Sequence, residues 1–381
     1  MNTESEAVGI PLFVRIADQI DALMGGLEGG TLPSERDLAV QFGVNRGTVR
    51  KAVAKLHSDG RLFRAAVGNR RLVSSPEMTD LTAAVCIPLT EYDYAAPGSH
   101  TDWSSAELMG ANHIPIHVGV SSFLRETVTK GSVWLDLGQS LIGPESSMES
   151  LERLIRSREI SGVVYWPVLP APSAVREQLR YLQARMPLVL LDRMIWGFEA
   201  DHCTFDCFEG GVQMGRHLLK AGHERFAFIG NTLPDFVHNY FRGIEGAIAE
   251  KGLSIPTENA FFIRNESLDL GYLLGPLMER PATTRPTVLV CANDTLALMA
   301  LQWLASQRLS APDDLAVTGV DDLNPVAGEL LGLTTLRLSY QELGRAAAKL
   351  LFERISLPLR SAQPLTRLVA TSLVVRRSCG G

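Results

Sequence analysis

The hydrophobic positions of this chain follow two different rhythms. Up to residue 60, apolar residues recur three or four positions apart, the spacing of helices with one buried face. Beyond residue 80, short runs of consecutive apolar residues alternate with helical patterns. This alternation predicts parallel β-sheets whose strands are connected by helices, and therefore an α/β fold for most of the chain.

Two of the N-terminal helical patterns lie on either side of a tight turn. The first begins after Ser34, a favourable N-cap, and ends at Gly43. The second runs from Arg46 to Ser58, is basic at its exposed start, and has Asn45 as its N-cap. Two short helices joined in this way predict a helix-turn-helix, whose second helix enters the major groove, where arginine can bond guanine.

The segment that follows the helix ending at Ser58 predicts a basic β-hairpin. Two extended runs, 61–66 and 69–73, are joined around Gly68. Between Arg36 and Val73 nine basic residues stand against two acidic ones, although the whole chain has a net charge of −6. A basic module on an acidic protein favours DNA binding by that module. The alternative is that these arginines only solvate a helical face.

The N-terminal motif resembles the GntR-type winged helix. The resemblance covers the segment LPSERDLAVQFGVNRGTVRKAVAKLHSDGRL. It implies a winged helix-turn-helix that binds double-stranded operator DNA. It also assigns DNA contacts to Arg36, Asn45, Arg46, Thr48, Arg50 and Gly68.

A polar, proline-containing stretch separates this module from the rest of the chain. We predict a DNA-binding domain over residues 1–75, a linker over 76–80 and a larger domain over 81–381. In the larger domain the apolar runs predict strands at 83–89, 133–137, 162–166, 188–191, 226–229, 287–291 and 316–320. The helical patterns between them include 149–157, 210–221, 243–251 and 296–306.

Polar side chains follow three of these strands directly. Asp192, Asn293 and Asp321 each stand just beyond a buried run. In parallel sheets ligands bind outside the carboxyl ends of the strands, and carboxylates and amides suit ligands with several hydroxyl groups. The alternative is that these residues are helix caps and turn formers.

The larger domain resembles the effector domain of LacI/GalR-type regulators, which is similar to periplasmic sugar-binding proteins. The matching segments are PLVLLDR, GRHLLKAGHERFAFIG, ANDTLALMALQWLASQRLSAPDDLAVTGVDD and LTTLRLSYQELGRAAAKLLFERI. The resemblance implies two lobes with parallel, Rossmann-like sheets, and a sugar contacted by Asp192, Asn293 and Asp321. Tyr240 stands where that family has an arginine, and its ring can stack on a ligand or its hydroxyl can bond one.

Further aromatic residues leave two interpretations open. Trp166 and Trp196 can stack on a ligand or pack in the core. The long segment 90–112, at the carboxyl end of the first strand of the domain, can line the cleft or be a surface insertion.

Other functional classes lack their signatures. The chain has no GxSxG, Walker loop, strand-following GxGxxG or HExxH, so we expect neither an enzyme nor a cofactor. Five scattered cysteines provide no metal-ligand set. With no apolar run of about 18 residues and no signal peptide, we expect a cytoplasmic protein that does not enter membranes.

These observations together predict a homodimeric transcriptional repressor. Its operator binding would be controlled by a small carbohydrate-like effector in the cleft of the larger domain. Two alternatives remain: a dimeric DNA-binding regulator that needs no ligand, and a regulator that senses a non-sugar metabolite.

Overall fold

The computed structural model describes most of the chain. The described residues are 11–24, 32–58, 62–64, 71–73, 80–87, 113–128, 130–137, 141–144, 146–169, 171–232, 235–263, 269–322, 324–355 and 363–380. The chain divides into two compact units: one contains Met1–Leu81, Leu124–Ser132 and Phe352–Gln363, and the other contains Thr82–Phe123, Val133–Leu351 and Pro364–Gly381.

The described residues before Asp80 form three helices and a two-stranded sheet. The helices are α1 (Leu12–Met24), α2 (Glu35–Gln41) and α3 (Arg46–Ser58), and the strands are β1 (Leu62–Arg64) and β2 (Arg71–Val73). The strands pair antiparallel, as the predicted hairpin requires. The helices enclose a small core of Ile16, Ala17, Ile20, Leu32, Leu38, Val49, Ala52, Val53 and Leu56. Gly68, predicted at the hairpin tip, lies outside the described residues.

From Asp80 onwards, the described residues form two six-stranded sheets and the helices that connect their strands. The strands are β3 (Asp80–Cys86), β4 (Lys130–Asp136), β5 (Ile160–Tyr165), β6 (Leu188–Leu191), β7 (Asp201–Phe205), β8 (Phe226–Asn231), β9 (Ala260–Ile263), β10 (Val288–Cys291), β11 (Ala316–Asp321), β12 (Thr334–Arg337), β13 (Thr366–Val369) and β14 (Ser372–Val374). The helices are α4 (His113–Thr127), α5 (Met148–Ser157), α6 (Ser173–Gln183), α7 (Cys207–Lys220), α8 (Asp235–Ala249), α9 (Gly271–Met278), α10 (Asp294–Ser306), α11 (Pro325–Leu331) and α12 (Tyr340–Ile355).

Each sheet forms one lobe, and the chain passes between the lobes three times. The first lobe has the strand order β13-β7-β6-β5-β3-β4 and the second β14-β12-β11-β10-β8-β9. Parallel pairing dominates both sheets, with β14 antiparallel to β12. The crossings follow β7, β12 and β13. The prediction of parallel α/β sheets is confirmed.

The strands predicted from apolar runs are present, and one helix was predicted too short. The helix expected from residue 243 begins at Asp235, because Val237, Tyr240 and Ile244 continue its buried face towards the N-terminus. The strands β7, β9, β12, β13 and β14 were not predicted. All five are three to five residues long, and all except the apolar β9 carry polar residues, as in the DHCTF sequence of β7.

Glycines allow α7 and α8 to pack backbone against backbone. A Cβ atom on Gly211 would lie 2.2 Å from the Tyr240 carbonyl oxygen, and one on Gly243 would lie 2.1 Å from the Phe208 carbonyl oxygen. Helix α7 begins directly after the first crossing between the lobes, so this contact fixes α8 relative to that crossing.

We expect Gly211→Ala to lower the free energy of unfolding by about 3 kcal/mol, because the added methyl group must displace the backbone of α8. Gly246→Ala is the matched control: it lies on the same helix pair, and its Cβ would meet nothing within 4 Å. It should raise the free energy of unfolding by about 0.5–1 kcal/mol through helix propensity. Urea denaturation of both variants measures the difference. Equal effects would contradict the close packing.

Candidate functional site

The helix-turn-helix is held by caps that the sequence predicted. The Ser34 hydroxyl accepts the Asp37 backbone N–H at the start of α2. Asn45 Oδ1 accepts the backbone N–H of Thr48 at 2.8 Å and the Thr48 hydroxyl at 3.2 Å at the start of α3. Gly43 adopts a positive φ of 62° in the turn between the helices. Asn45 and Thr48 are therefore committed to shaping the start of α3.

The predicted DNA-contacting arginines lie on an exposed surface. Arg36 is exposed, and the side chains of Arg46 and Arg50 are both 66% exposed. Glu35 Oε2 lies 3.4 Å from Arg46 Nε and 3.5 Å from Arg50 Nε. Glu35 was not predicted as a site residue, although it precedes Arg36 in the same LPSER motif.

Asp192 directly follows β6 in the first lobe and is buried in a strained backbone conformation. Its backbone is in the left-handed region (φ 60°), and the residue is 8% exposed. Its backbone N–H donates to the Cys203 carbonyl, and its own carbonyl accepts the Thr204 hydroxyl. Arg193 Nε lies 4.0 Å from a carboxylate oxygen. Burial raises the pKa of Asp192 to about 7.

We expect Asp192 to make the protein less stable as pH rises from about 5 to 7. Its pKa of about 7 in the folded state exceeds the ordinary 3.8, so the native state holds a proton that the unfolded state has released. The penalty is absent below the unfolded pKa and complete above the folded one. Asp192→Asn mimics the neutral acid. In urea denaturation, wild type should lose about 1 kcal/mol per pH unit relative to this variant. A pH-independent difference would contradict the shifted pKa.

Asp321 ends β11 in the second lobe and meets an aromatic cluster. Its φ is 119°, a conformation that non-glycine residues rarely adopt. The Tyr340 hydroxyl donates to Asp321 Oδ1 at 3.4 Å. The Tyr340 ring stacks on Trp166 at 5.7 Å and meets the edge of Phe205 at 5.2 Å. Since Trp166 and Phe205 belong to the first lobe, Tyr340 links both lobes beside Asp321.

Cys207, the first residue of α7, marks where the two carboxylates come together. The pKa of its thiol is raised well above the ordinary value, first by burial and then by the negative charges of Asp192, Asp321 and Asp206. The pKa of Tyr340 is likewise raised by burial and then by Asp321 and Asp192. Asp192 and Asp321, one from each lobe, therefore both lie near enough to Cys207 and Tyr340 to act on them electrostatically. Neither Cys207 nor Tyr340 was predicted as a site residue.

Asn293 acts as a helix cap, the alternative that the sequence left open. Its Oδ1 accepts the Leu296 backbone N–H at 2.7 Å at the start of α10. This bond commits the amide oxygen to the fold.

The neighbouring acidic residues Asp294 and Asp322 are structural. Asp294 accepts the Thr335 hydroxyl at 2.6 Å and the Asp322 backbone N–H at 2.9 Å. Asp322 is paired with Arg337 at 2.6 Å and with Arg376 at 3.0 Å. Their carboxylates thus tie α10, β11, β12 and the C-terminal segment together.

Tyr240 lies on α8 and is 1% exposed. Its hydroxyl is buried, with no hydrogen-bond partner among the described residues. The pKa of Tyr240 is raised well above the ordinary value by burial, and then by the nearby Cys291, Cys207 and Asp294. Tyr240 therefore lies near Cys291, at the end of β10, and near Cys207, at the start of α7. Cys207 is also the residue on which Asp192 and Asp321 act.

The two candidate tryptophans occupy different environments. Trp166 is buried, and its indole N–H has no hydrogen-bond partner among the described residues. Trp196 is 76% exposed, so the core-packing interpretation of this residue is wrong. The segment 90–112 lies outside the described residues.

Comparisons with known proteins agree with both parts of the chain. The family model "Bacterial regulatory proteins, gntR family" matches residues 16–67, and the model "Periplasmic binding protein-like domain" matches residues 216–379. The arabinose metabolism transcriptional repressor of Geobacillus stearothermophilus is 28% identical over 91% of each chain. The HTH-type transcriptional repressor PurR of Haemophilus influenzae (strain PittEE) is 30% identical over 62% of this chain and 69% of its own.

A solved structure has the same fold. The LacI family transcriptional regulator from Enterococcus faecium, determined with bound ribose, matches with a TM-score of 0.56 and 22% identity. The match covers 78% of this chain and 98% of that one. None of the helices in the described ranges has the length and hydrophobicity needed to cross a bilayer.

Fold, motifs and relatives define a DNA-binding transcriptional regulator. Within that class, the chain belongs to the bacterial regulators that combine a GntR-type winged helix-turn-helix with a LacI/GalR-type, periplasmic-binding-protein-like domain. Its similarity to the arabinose repressor named above extends over 91% of the chain.

Proposed function

We propose that this protein is a homodimeric repressor that binds operator DNA through residues 1–75 and releases it when a carbohydrate binds between the lobes of residues 81–381. Residues 76–80 form the linker. The observation that carries the proposal is the position of Tyr340. Its hydroxyl donates to Asp321 Oδ1 in the second lobe, while its ring packs on Trp166 and Phe205 of the first lobe.

The operator contacts come from the helix-turn-helix and the hairpin. Arg46 and Arg50 read base edges from the start of α3, because arginine can donate two bonds to one guanine. Arg36 and the hairpin around Gly68 contact the backbone, which fixes the register on the duplex. Asn45 and Thr48 hold the start of α3 towards the groove, as their mutual bonds support.

The effector contacts come from the strand ends. Asp192, Asp321 and Asn293 form hydrogen bonds to ligand hydroxyls. The buried hydroxyl of Tyr240 and the buried indole N–H of Trp166 provide further unpaired polar atoms. A buried polar group without a partner costs about 1–3 kcal/mol, which a hydroxyl-rich ligand would recover. This mixture of acceptors and donors suits a carbohydrate.

The relatives support the same class of effector. One relative is named for arabinose metabolism, and the structural neighbour from Enterococcus faecium was determined with ribose. Tyr240 argues against transferring any particular sugar, since its phenol cannot form the bidentate contacts of an arginine.

The protein assembles as a homodimer. The dimer presents two DNA-binding domains, each called the head (residues 1–75), to the half-sites of a palindrome, which are spaced by one helical turn or a multiple of it. The protein acts by binding rather than by catalysis, and in the cytoplasm, where operator DNA is accessible. A non-sugar effector is the second candidate, favoured by Tyr240 at the arginine position. A ligand-independent regulator is the third.

A thermal melt of the purified protein against pentoses, hexoses, uronic acids, disaccharides and phosphorylated sugars tests the effector site. A ligand at one hundred times its Kd adds about 2.7 kcal/mol to the free energy of unfolding, which raises Tm by several degrees. A single sugar class that raises Tm supports the proposal. A flat response to the whole panel overturns the carbohydrate assignment.

A further inference from the structure

Glu35 lies between the two arginines at the start of the recognition helix. It is the first residue of α2, whereas Arg46 opens α3 and Arg50 follows one turn later. A single carboxylate oxygen, Oε2, lies 3.4 Å from Arg46 Nε and 3.5 Å from Arg50 Nε. The Glu35 side chain is 14% exposed and each arginine side chain is 66% exposed.

This arrangement constrains the arginines without covering them. Both contacts are made at Nε, the inner nitrogen of the guanidinium group. The terminal Nη atoms, which can form two parallel bonds to one guanine, are not used by these contacts. A half-buried carboxylate between two long, exposed arginine side chains restricts their rotamers before DNA binds. Each arginine therefore loses less conformational entropy when it contacts a base.

The carboxylate also lowers the positive charge at this surface. Attraction to phosphate is the main source of affinity for DNA of arbitrary sequence. A negative charge between two guanidinium groups therefore weakens non-specific binding, while leaving the bonds to base edges available.

We infer that Glu35 is a positioning residue for sequence recognition: it holds Arg46 and Arg50 by Nε, favouring base contacts over phosphate contacts. The inference rests on the proposed DNA-binding function of the head. It assigns to Glu35 a role in specificity rather than in total affinity for DNA.

The test uses the full-length protein and DNA that the protein itself selects from a random-sequence duplex pool. The affinities for the selected duplex and for a scrambled duplex are then measured over a range of KCl concentrations. Glu35→Gln should bind scrambled DNA a few-fold more tightly, with a steeper salt dependence. The ratio of selected to scrambled affinity should fall about tenfold.

Two further variants separate position from charge. Glu35→Asp keeps the charge but is one methylene shorter, so its affinity ratio should also fall while scrambled-DNA affinity stays unchanged. Asp37→Asn removes the same charge from the same turn of α2, where its carboxylate accepts the Ser34 hydroxyl. It should keep the wild-type ratio and the wild-type selected sequence.

The outcomes distinguish this inference from the proposed function. If the Glu35→Gln and Glu35→Asp variants select the same sequence as wild type, with the same ratio of selected to scrambled affinity, the positioning role of Glu35 is overturned. DNA recognition by the head is then unaffected. An Asp37→Asn effect equal to that of Glu35→Gln also overturns it, because charge alone would then explain the result. A wild-type protein that selects no sequence overturns the proposed function and the inference together.

Discussion

Arg50→Ala should lower the affinity for the selected operator by about 5- to 150-fold, the value of one bidentate arginine–guanine contact. The side chain is exposed on the first turns of α3, and its guanidinium is oriented by Glu35. The affinity for scrambled DNA should fall much less. Fluorescence anisotropy with both duplexes measures the two affinities.

Two control variants sharpen this result. Arg50→Lys keeps the charge but loses the planar pair of donors, so it should lose specificity while keeping most non-specific affinity. Arg15→Ala removes an equal charge from an exposed position on α1 and should leave the specificity ratio unchanged. If Arg15→Ala and Arg50→Ala have the same effect, the head acts by overall charge and α3 does not read bases.

Asp321→Ala should weaken effector binding by about 10- to 100-fold, because a hydrogen bond to a charged group is worth about 1.5–3 kcal/mol. Asp321 ends β11 and accepts the Tyr340 hydroxyl beside the carboxylate from the other lobe. The readout is the effector-dependent rise in Tm. Operator affinity without effector should be unchanged.

The control for this variant comes from the same lobe. Asp313→Ala removes an exposed carboxylate from the loop before β11 and should keep the full effector response. Asp321→Asn, which tolerates the positive φ of this position, serves if the alanine variant is unstable. A normal effector response in both Asp321 variants would show that the ligand binds elsewhere.

The head could be predicted in detail because its signals are local. The caps at Ser34 and Asn45 and the spacing of Val49, Val53 and Leu56 depend only on neighbours within a few positions. Glu35 was missed because its partners are 11 and 15 positions away, across the turn.

The effector site could be predicted only in part. The strand ends at Asp192 and Asp321 follow from apolar runs and the parallel topology. The strand pattern does not show which of the adjacent Asp321 and Asp322 belongs to the effector site, because both adopt positive φ values that turn the chain. Asp322 then pairs with Arg376, which is 54 positions away. Tyr340 and Cys207 follow short strands that the apolar pattern did not reveal.

The central claim is that effector binding between the lobes controls operator binding by the head. The most direct test is to measure operator affinity with and without a saturating concentration of whichever sugar raises Tm in the melting panel. Coupling between two such sites is typically about 1–3 kcal/mol, so operator affinity should fall about 5- to 150-fold in the wild type and remain constant in Asp321→Ala. An operator affinity that no stabilising sugar changes would contradict the claim.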